Sequence, residues 1–202
     1  MMPVFVVMQT NLQAYGEVHD TLDNRWAGFF IQAGILPIYL PNNLDVATAM
    51  LSSDIARGAI FTGGGEYSLD ASDTRSQLER LVMDWSVQHG YPLIGVCRGM
   101  QAMLLYKGAQ LRPCLGQVCA QQQILFCQQV IKVNSYHQFE CINIPAEFEV
   151  IGTGDNGMVK AVKGKQLSWL AIMWHPERLM PQRKQDLQLF NQFLTQGAVC
   201  KD

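Results

Sequence analysis

The apolar run 91–96 constrains the fold most, because it stands between two segments with helical patterning. In the preceding segment, 73–89, Leu78, Leu81, Val82 and Trp85 recur at the spacing of one helix face. A short run that is apolar throughout is typical of a strand covered on both faces of a parallel sheet. The sequence therefore predicts an α/β fold with a mainly parallel central sheet, helices on both faces and functional sites at the carboxyl ends of strands.

The same alternation of short β-rich runs and longer helical runs extends along the chain. Strands are predicted at 3–8, 36–40, 58–62, 91–96, 123–133, 141–144, 149–152, 158–163 and 167–173. Helices are predicted at 22–33, 45–52, 73–89, 99–106 and 182–194. No internal repeat, low-complexity tract or linker interrupts this order, so we expect residues 1–202 to form a single domain.

Composition narrows the possible partners and the compartment. The chain has 202 residues with 16% charged side chains and a formal charge of −2. A near-neutral balance gives no electrostatic footprint for a nucleic acid polymer or an anionic membrane surface. No apolar run reaches the ~18 residues of a membrane helix, and the first residues lack the features of a signal peptide. We therefore expect a cytoplasmic protein with reduced thiols.

The six cysteines show neither the spacing of a zinc knuckle nor that of a redox pair. We expect five of them to be packed or surface thiols, namely Cys114, Cys119, Cys127, Cys141 and Cys200. No cluster of metal-ligating residues is visible, and the sequence therefore indicates no metal site.

Cys97 differs from the other cysteines in its setting, Gly95-Val96-Cys97-Arg98-Gly99, which follows a predicted strand and precedes a predicted helix. This is the pattern of a nucleophile elbow with cysteine in place of serine. The nucleophile occupies a sharp turn, and the glycines two positions away avoid a clash. The turn also places Cys97 at the positive end of the next helix, which favours a thiolate. A buried structural cysteine would explain this short pattern equally well.

A second pattern, Trp174-His175-Pro176-Glu177, follows the predicted strand 167–173. Side chains two positions apart in extended backbone point the same way, so Glu177 could orient His175. His175 could in turn take a proton from Cys97, which is the arrangement of a catalytic triad. A histidine and a glutamate in a polar loop are the simpler alternative.

Two further segments are suggestive only in combination. The run Gly63-Gly64-Gly65 follows a predicted strand and could present backbone N–H groups to an oxyanion, although a flexible turn would read the same way. The segment 133–139, VNSYHQF, is interpreted as a loop between two strands that carries polar and aromatic groups.

Four motifs follow one another along the chain: the glycine turn, GVCRGMQ, VNSYH and WHPE. Their identity and order resemble the class I glutamine amidotransferase-like superfamily over nearly the whole chain. The resemblance implies a flavodoxin-like three-layer α/β/α fold. It implies that Cys97 is the nucleophile, His175 the base and Glu177 its orienter, and that Gly64 and Arg98 supply the oxyanion N–H groups. It also implies a set of substrate-binding residues, namely Gln101, Tyr136, His137 and Gln138.

Within this superfamily, Arg98 and the VNSYH segment are similar to the γ-glutamyl hydrolase branch, whereas glutaminase subunits usually carry leucine after the cysteine. CRGMQ, VNSYHxF and AIMWHxER further resemble members that release glutamate from a nucleotide-linked γ-glutamyl phosphoramidate made for a surface polysaccharide. This implies a small-molecule γ-glutamyl substrate and a mechanism that needs no cofactor. The alternatives are a glutaminase that delivers ammonia to a separate synthetase and a non-catalytic relative. The sequence leaves open whether the Arg98 side chain pairs with an acid of the protein or reaches an anionic leaving group.

Two departures from the hydrolase pattern leave roles unassigned. Glu66 ends the glycine turn where that branch usually has aspartate, and the stretch 117–129 is rich in glutamine where relatives often have histidine.

Overall fold

A computed structural model describes residues 1–65 and 72–199. Its strands are β1 (Met2–Val7), β2 (Gln9–Leu12), β3 (Val18–Thr21), β4 (Ile35–Leu40), β5 (Ala59–Phe61), β6 (Leu93–Val96), β7 (Gln110–Pro113), β8 (Val118–Phe126), β9 (Gln129–Tyr136), β10 (Phe139–Ile142), β11 (Phe148–Gly154), β12 (Val159–Gly164) and β13 (Trp169–Ile172). Its α-helices are α1 (Arg25–Gln32), α2 (Leu44–Leu51), α3 (Thr74–His89), α4 (Arg98–Tyr106) and α5 (Lys184–Gln196). Among these described helices, none is both long and apolar enough to cross a membrane.

Within the described residues, nine strands form one mixed sheet in the order β4-β1-β5-β6-β13-β12-β11-β8-β9. The first five strands of this order are parallel to one another, and the pairs from β13 to β9 are antiparallel. We call these two parts the parallel half and the antiparallel half. The α/β class is confirmed, with parallel pairing confined to one half of the sheet.

The parallel half follows the physical rules from which it was predicted. Every residue of β5, β6 and β13 is buried, as expected for strands covered on both faces. The chain moves from β1 to β4 in one direction along the sheet and from β4 to β5 in the other. Right-handed crossovers therefore place α1 and α2 on opposite faces.

Local signals also set the ends of the longest helix, α3. The Asp73 side chain accepts a hydrogen bond from the N–H of Ser76 at its start, and Gly90 ends it with a φ of 68°. The prediction of a helix at 73–89 is thus confirmed to within one residue.

The carboxyl ends of three neighbouring strands meet beside one another. Gly95 of β6 is paired with Phe61 of β5 on one side and with Ala171 of β13 on the other. The segments that follow these strands carry the glycine turn, Cys97 and His175. Three patterns that are distant in the sequence therefore share one edge of the sheet.

The antiparallel half departs from the prediction. The single strand expected at 123–133 is wrong, because β8 and β9 form a hairpin that turns at Cys127 and Gln128, with φ values of 46° and 61°. As a consequence, Asn134, Ser135 and Tyr136 extend β9 instead of forming a loop. The two small sheets are β2-β3 and β7-β10. The sequence patterns did not indicate β2, β3 or β7, whereas β10 overlaps the strand predicted at 141–144.

The cysteines are mostly as expected. Cys97, Cys114, Cys119 and Cys141 are free thiols. The expectation is wrong for Cys127, which is disulfide-bonded. Cys200, like Glu66, lies outside the described residues.

Candidate active site

Cys97 occupies a strained turn between β6 and α4, with φ 52° and ψ −101°. A Cβ atom added to Gly95 would lie 2.7 Å from the backbone of Gly99, and one added to Gly99 would lie 2.6 Å from Cβ of Phe61. Both flanking positions therefore require glycine for steric reasons. Such a backbone conformation costs on the order of 1–3 kcal/mol and persists because the surrounding packing holds it.

The turn presents Cys97 at the first turn of α4, where unpaired N–H groups and the helix dipole favour negative charge. Its own N–H donates to the carbonyl of Ile172 in β13 at 2.8 Å, which fixes the elbow against the neighbouring strand. The residue is 7% exposed, so its sulfur reaches the surface only through the adjoining pocket.

His175 and Cys97 line the same pocket, and the Cys97 side chain is among the groups that raise the pKa of His175. Nδ1 of His175 is 2.7 Å from Oε1 of Glu177, which stands in a single 3₁₀ turn after His175. Burial opposes protonation of the imidazole, but the interactions with Cys97 and Glu177 outweigh it and raise the pKa of His175 to about 9. His175 thus interacts with Glu177 through Nδ1 and shares the pocket with Cys97.

The glycine turn makes room for His175. A Cβ atom at Gly63 would overlap the imidazole ring of His175, and one at Gly64, where φ is 91°, would overlap Oε1 of Gln9. The position of the His175 ring therefore requires glycine at residue 63.

A buried arginine that the sequence reasoning missed holds the glycine turn in place. Arg75 of α3 donates to the carbonyl of Thr62 at 2.6 Å and to that of Gly64 at 2.7 Å. In a trans peptide the N–H points away from the carbonyl, so these bonds aim the N–H groups of Gly63 and Gly65 away from Arg75. Nε of Arg75 is paired with Glu79, which offsets part of the cost of burying the guanidinium; burial lowers the pKa of Arg75 to about 10.

Arg98 shares the same buried glutamate. Its guanidinium lies 3.3 Å from both carboxylate oxygens of Glu79 and 3.1 Å from Oγ of Ser76. The sequence left open whether the Arg98 side chain pairs with an acid of the protein or reaches a leaving group. In the structure it pairs with an acid, Glu79. It connects the start of α4 to α3, while its backbone N–H remains at the elbow.

Asn134 is a second residue that the sequence reasoning did not assign. Its side-chain amide donates to the carbonyl of His175 at 2.8 Å and accepts from the N–H of His175 at 2.8 Å. Both residues are buried. A strand of the antiparallel half thereby fixes the backbone of His175. The VNSYH segment contained this residue, but its partner lies 41 positions away and has no local signal.

A pocket of about 590 Å³ opens in front of Cys97. The lining residues include eight of the nine predicted site residues: Gly64, Cys97, Arg98, Gln101, Tyr136, His137, Gln138 and His175. Glu177 does not line it and lies behind His175. Gln101 donates to the carbonyl of Phe139 at 3.1 Å, which connects α4 to the far wall of the pocket.

His137 belongs to a buried polar cluster in that wall. Its Nδ1 lies 2.9 Å from the carbonyl of Phe139, and its Nε2 lies 2.8 Å from Nζ of Lys160. Burial, followed by the charge of Lys160, lowers the pKa of His137 to about 4, so it is a neutral acceptor for that lysine. Lys160 also donates to Oε1 of Gln117 at 2.6 Å, which gives one member of the glutamine-rich stretch a structural partner.

Two free thiols outside the elbow, Cys141 and Cys114, have raised pKa values. Burial is the largest cause that raises the pKa of Cys141, to about 12, and it also raises the pKa of Cys114. Neither thiol is poised to act as a nucleophile at neutral pH.

Residues 40–196 match the family "Glutamine amidotransferase class-I". Among curated proteins, the chain is 23% identical to the γ-glutamyl-CDP-amidate hydrolase of Campylobacter jejuni over 82% of this chain and 84% of that protein. It is 27% identical to the GMP synthase (glutamine-hydrolysing) of Francisella tularensis over 66% of this chain but only 26% of that protein.

Solved structures agree on the fold. A protein from Thermoplasma acidophilum superposes with a TM-score of 0.72 at 20% identity, covering 96% of this chain and 92% of the other. A glutamine amidotransferase from Thermotoga maritima gives a TM-score of 0.65 at 12% identity, covering 95% and 82%. Because the family match spans more than three quarters of the sequence, the chain belongs to the class I glutamine amidotransferase family.

Proposed function

We propose that this chain is a cysteine-dependent γ-glutamyl hydrolase that releases glutamate from a γ-glutamyl amide or phosphoramidate. The observation that carries the proposal is that Cys97 and His175 line one pocket, while Nδ1 of His175 lies 2.7 Å from Oε1 of Glu177. The relative from C. jejuni supports a nucleotide-linked phosphoramidate, γ-glutamyl-CDP-amidate, as the specific substrate.

The reaction has two stages. The Cys97 thiolate attacks the γ-carbonyl carbon, and backbone N–H groups at Gly64 and Arg98 stabilise the tetrahedral oxyanion. The C–N bond then breaks as the imidazolium of His175 gives its proton to the leaving nitrogen, which leaves a glutamyl thioester on Cys97. His175 next takes a proton from water, and the hydroxide formed attacks the thioester carbonyl to give glutamate and free Cys97.

Glu177 and Gln101 have supporting roles in this proposal. Glu177 keeps the imidazole in the tautomer with hydrogen on Nδ1 and stabilises the imidazolium. Gln101, with Tyr136, His137 and Gln138, contacts the glutamyl group. The raised pKa of His175 supports its role as the proton donor at neutral pH.

The test is a glutamate-release assay with the purified chain alone. Free glutamine, γ-glutamyl methylamide and γ-glutamyl-CDP-amidate are compared, with Cys97→Ala as the inactive control. We expect release without any partner protein, and the highest kcat/KM for the phosphoramidate. If the chain released glutamate from none of the three substrates, the proposal that it is a hydrolase would be refuted.

The second candidate is a glutaminase component that delivers ammonia to a separate synthetase. The observation that favours it is the match to a glutamine-hydrolysing GMP synthase, which aligns with only 26% of that protein. It would replace the first proposal if glutamine were the only substrate cleaved and its hydrolysis required an added synthetase.

A further inference from the structure

Arg178 follows Glu177 in the 3₁₀ turn after His175, and its side chain is partly exposed. It lines the pocket together with Cys97 and His175. Its guanidinium lies over the ring of Tyr136, with Cζ 4.9 Å from the ring centroid. That ring lies 6.0 Å from the imidazole of His175. Imidazole, phenol ring and guanidinium thus follow one another along a single wall.

The charge of Arg178 is only partly compensated. Its Nε lies 3.4 Å from Oε1 of Glu177, which is within ion-pair distance but is not a hydrogen bond. Glu177 is already engaged by His175, and the neighbouring Asp23 is held by Arg25 at 2.5 Å. In the part of the chain that is described, the guanidinium of Arg178 makes no hydrogen bond.

The chemistry of the reaction decides what this wall meets. The leaving nitrogen must lie within reach of His175, because it receives the proton from that imidazole. A group attached to that nitrogen can reach Arg178 along Tyr136, because both residues line the same pocket as Cys97 and His175. A guanidinium presents a planar fork of donors that matches phosphate oxygens, and it is charged at every relevant pH.

We infer that Arg178, whose guanidinium lies over the ring of Tyr136, is the residue that binds an anionic, phosphate-bearing leaving group and so selects γ-glutamyl phosphoramidates over simple amides. The inference rests on the proposed hydrolase function and names the substrate class of the same site. It gives Arg178 the role that the sequence left open for Arg98, whose guanidinium is occupied by Glu79.

The experiment compares Arg178→Gln, Arg178→Lys and Arg57→Gln with the unchanged chain. Arg57 is an exposed arginine that precedes β5, at the opposite edge of the sheet from the site, so its substitution removes the same charge without touching the pocket. Each protein is assayed on γ-glutamyl-CDP-amidate and on γ-glutamyl methylamide, whose leaving group is neutral.

Loss of a charge-assisted hydrogen bond should lower kcat/KM for the phosphoramidate roughly 10- to 150-fold in Arg178→Gln. The loss for the methylamide should be much smaller. Arg178→Lys should recover part of the phosphoramidate activity, and Arg57→Gln should match the unchanged chain on both. Cytidine diphosphate should inhibit methylamide hydrolysis by the unchanged chain and inhibit Arg178→Gln far less.

Other outcomes would overturn the inference in distinguishable ways. Equal losses on both substrates would mean that Arg178 only positions Glu177. Efficient cleavage of the methylamide with no cleavage of the phosphoramidate by the unchanged chain would leave the hydrolase standing and refute the leaving-group assignment. No cleavage of either substrate would refute the hydrolase itself.

Discussion

The two halves of the sheet contribute to the candidate site in different ways. The segments that follow strands of the parallel half carry the groups proposed to react, Cys97 and His175. In the antiparallel half, Asn134 of β9 fixes the backbone of His175, and Tyr136 and the following His137 line the pocket. The groups proposed to react therefore come from the part of the fold with the strongest local constraints. The residues that hold and surround them come from the part with the weakest.

The largest effect is expected in the parallel half. Cys97→Ala should lower turnover on the order of 10⁴-fold or more, because no other group at the elbow can form the thioester. The fold should be retained, since alanine fits wherever the cysteine did. Cys119→Ser, a free and partly exposed thiol of the antiparallel half, is the matched control and should keep nearly full activity. Activity assays measure the turnover of both variants, and circular dichroism checks that both are folded. A loss of turnover in Cys119→Ser as large as that in Cys97→Ala would contradict the distinction between the two halves.

The next effect concerns the support of His175. Glu177→Gln should lower kcat less than His175→Ala does, because the glutamate orients and stabilises the imidazole without contacting the substrate. It should also move the basic limb of the kcat/KM profile toward neutral pH, since the carboxylate is one of the groups that raise the pKa of His175 to about 9. A pH profile checks this, and an unshifted basic limb would argue against the assignment.

The same raised pKa has a consequence for stability with a definite sign. A histidine that binds its proton more tightly in the folded state stabilises the fold fully below its unfolded pKa of about 6.5. That contribution is lost as the pH rises through about 9. The free energy of unfolding should therefore decline over this range in the unchanged chain and decline less in Glu177→Gln.

A smaller effect is expected from the antiparallel half. Asn134→Ala leaves the buried N–H and carbonyl of His175 without partners, which should cost about 1–3 kcal/mol of unfolding free energy. Turnover should fall as well, because the imidazole loses its fixed backbone. Asn11→Ala, which removes an exposed amide hydrogen bond in the β2-β3 hairpin, should cost far less in a denaturant titration. Equal stability of the two variants would show that the antiparallel half does not position His175.

The smallest effect is expected at the turn between β8 and β9. Gln128 has a φ of 61°, where glycine is favoured, so Gln128→Gly should stabilise the hairpin by roughly 0.5–1 kcal/mol. Thermal unfolding measures the gain, and kcat/KM should be unchanged because the turn is remote from the pocket. A decrease in melting temperature would mean that other interactions set this turn.

Local signals account for most of the parallel half and for the reacting groups. The buried run before Cys97 and the glycines around it each act within a few residues, so the sequence alone predicts them. The Cys97–His175 contact needed the family resemblance, because nothing local joins residues that far apart. The prediction that functional sites lie at the carboxyl ends of strands nevertheless has a physical basis, since parallel strands end side by side.

The remaining features depend on contacts between distant segments. The hairpin of β8 and β9 is rich in glutamine and largely exposed, so it lacks the apolar alternation that would separate two strands from one. Asn134, Arg75 and Lys160 act on partners that only the folded chain brings near. Their roles therefore emerge from the structure and not from spacing.

The most direct test of the central claim is to trap the acyl intermediate. The purified chain is mixed with γ-glutamyl-CDP-amidate, quenched with acid within the first turnovers and analysed by peptide mass spectrometry. The account predicts one added glutamyl group, in thioester linkage, on the peptide that contains Cys97, and none in Cys97→Ala. Glutamate release by the unchanged chain with the adduct on another cysteine, or release that persists at full rate in Cys97→Ala, would contradict it.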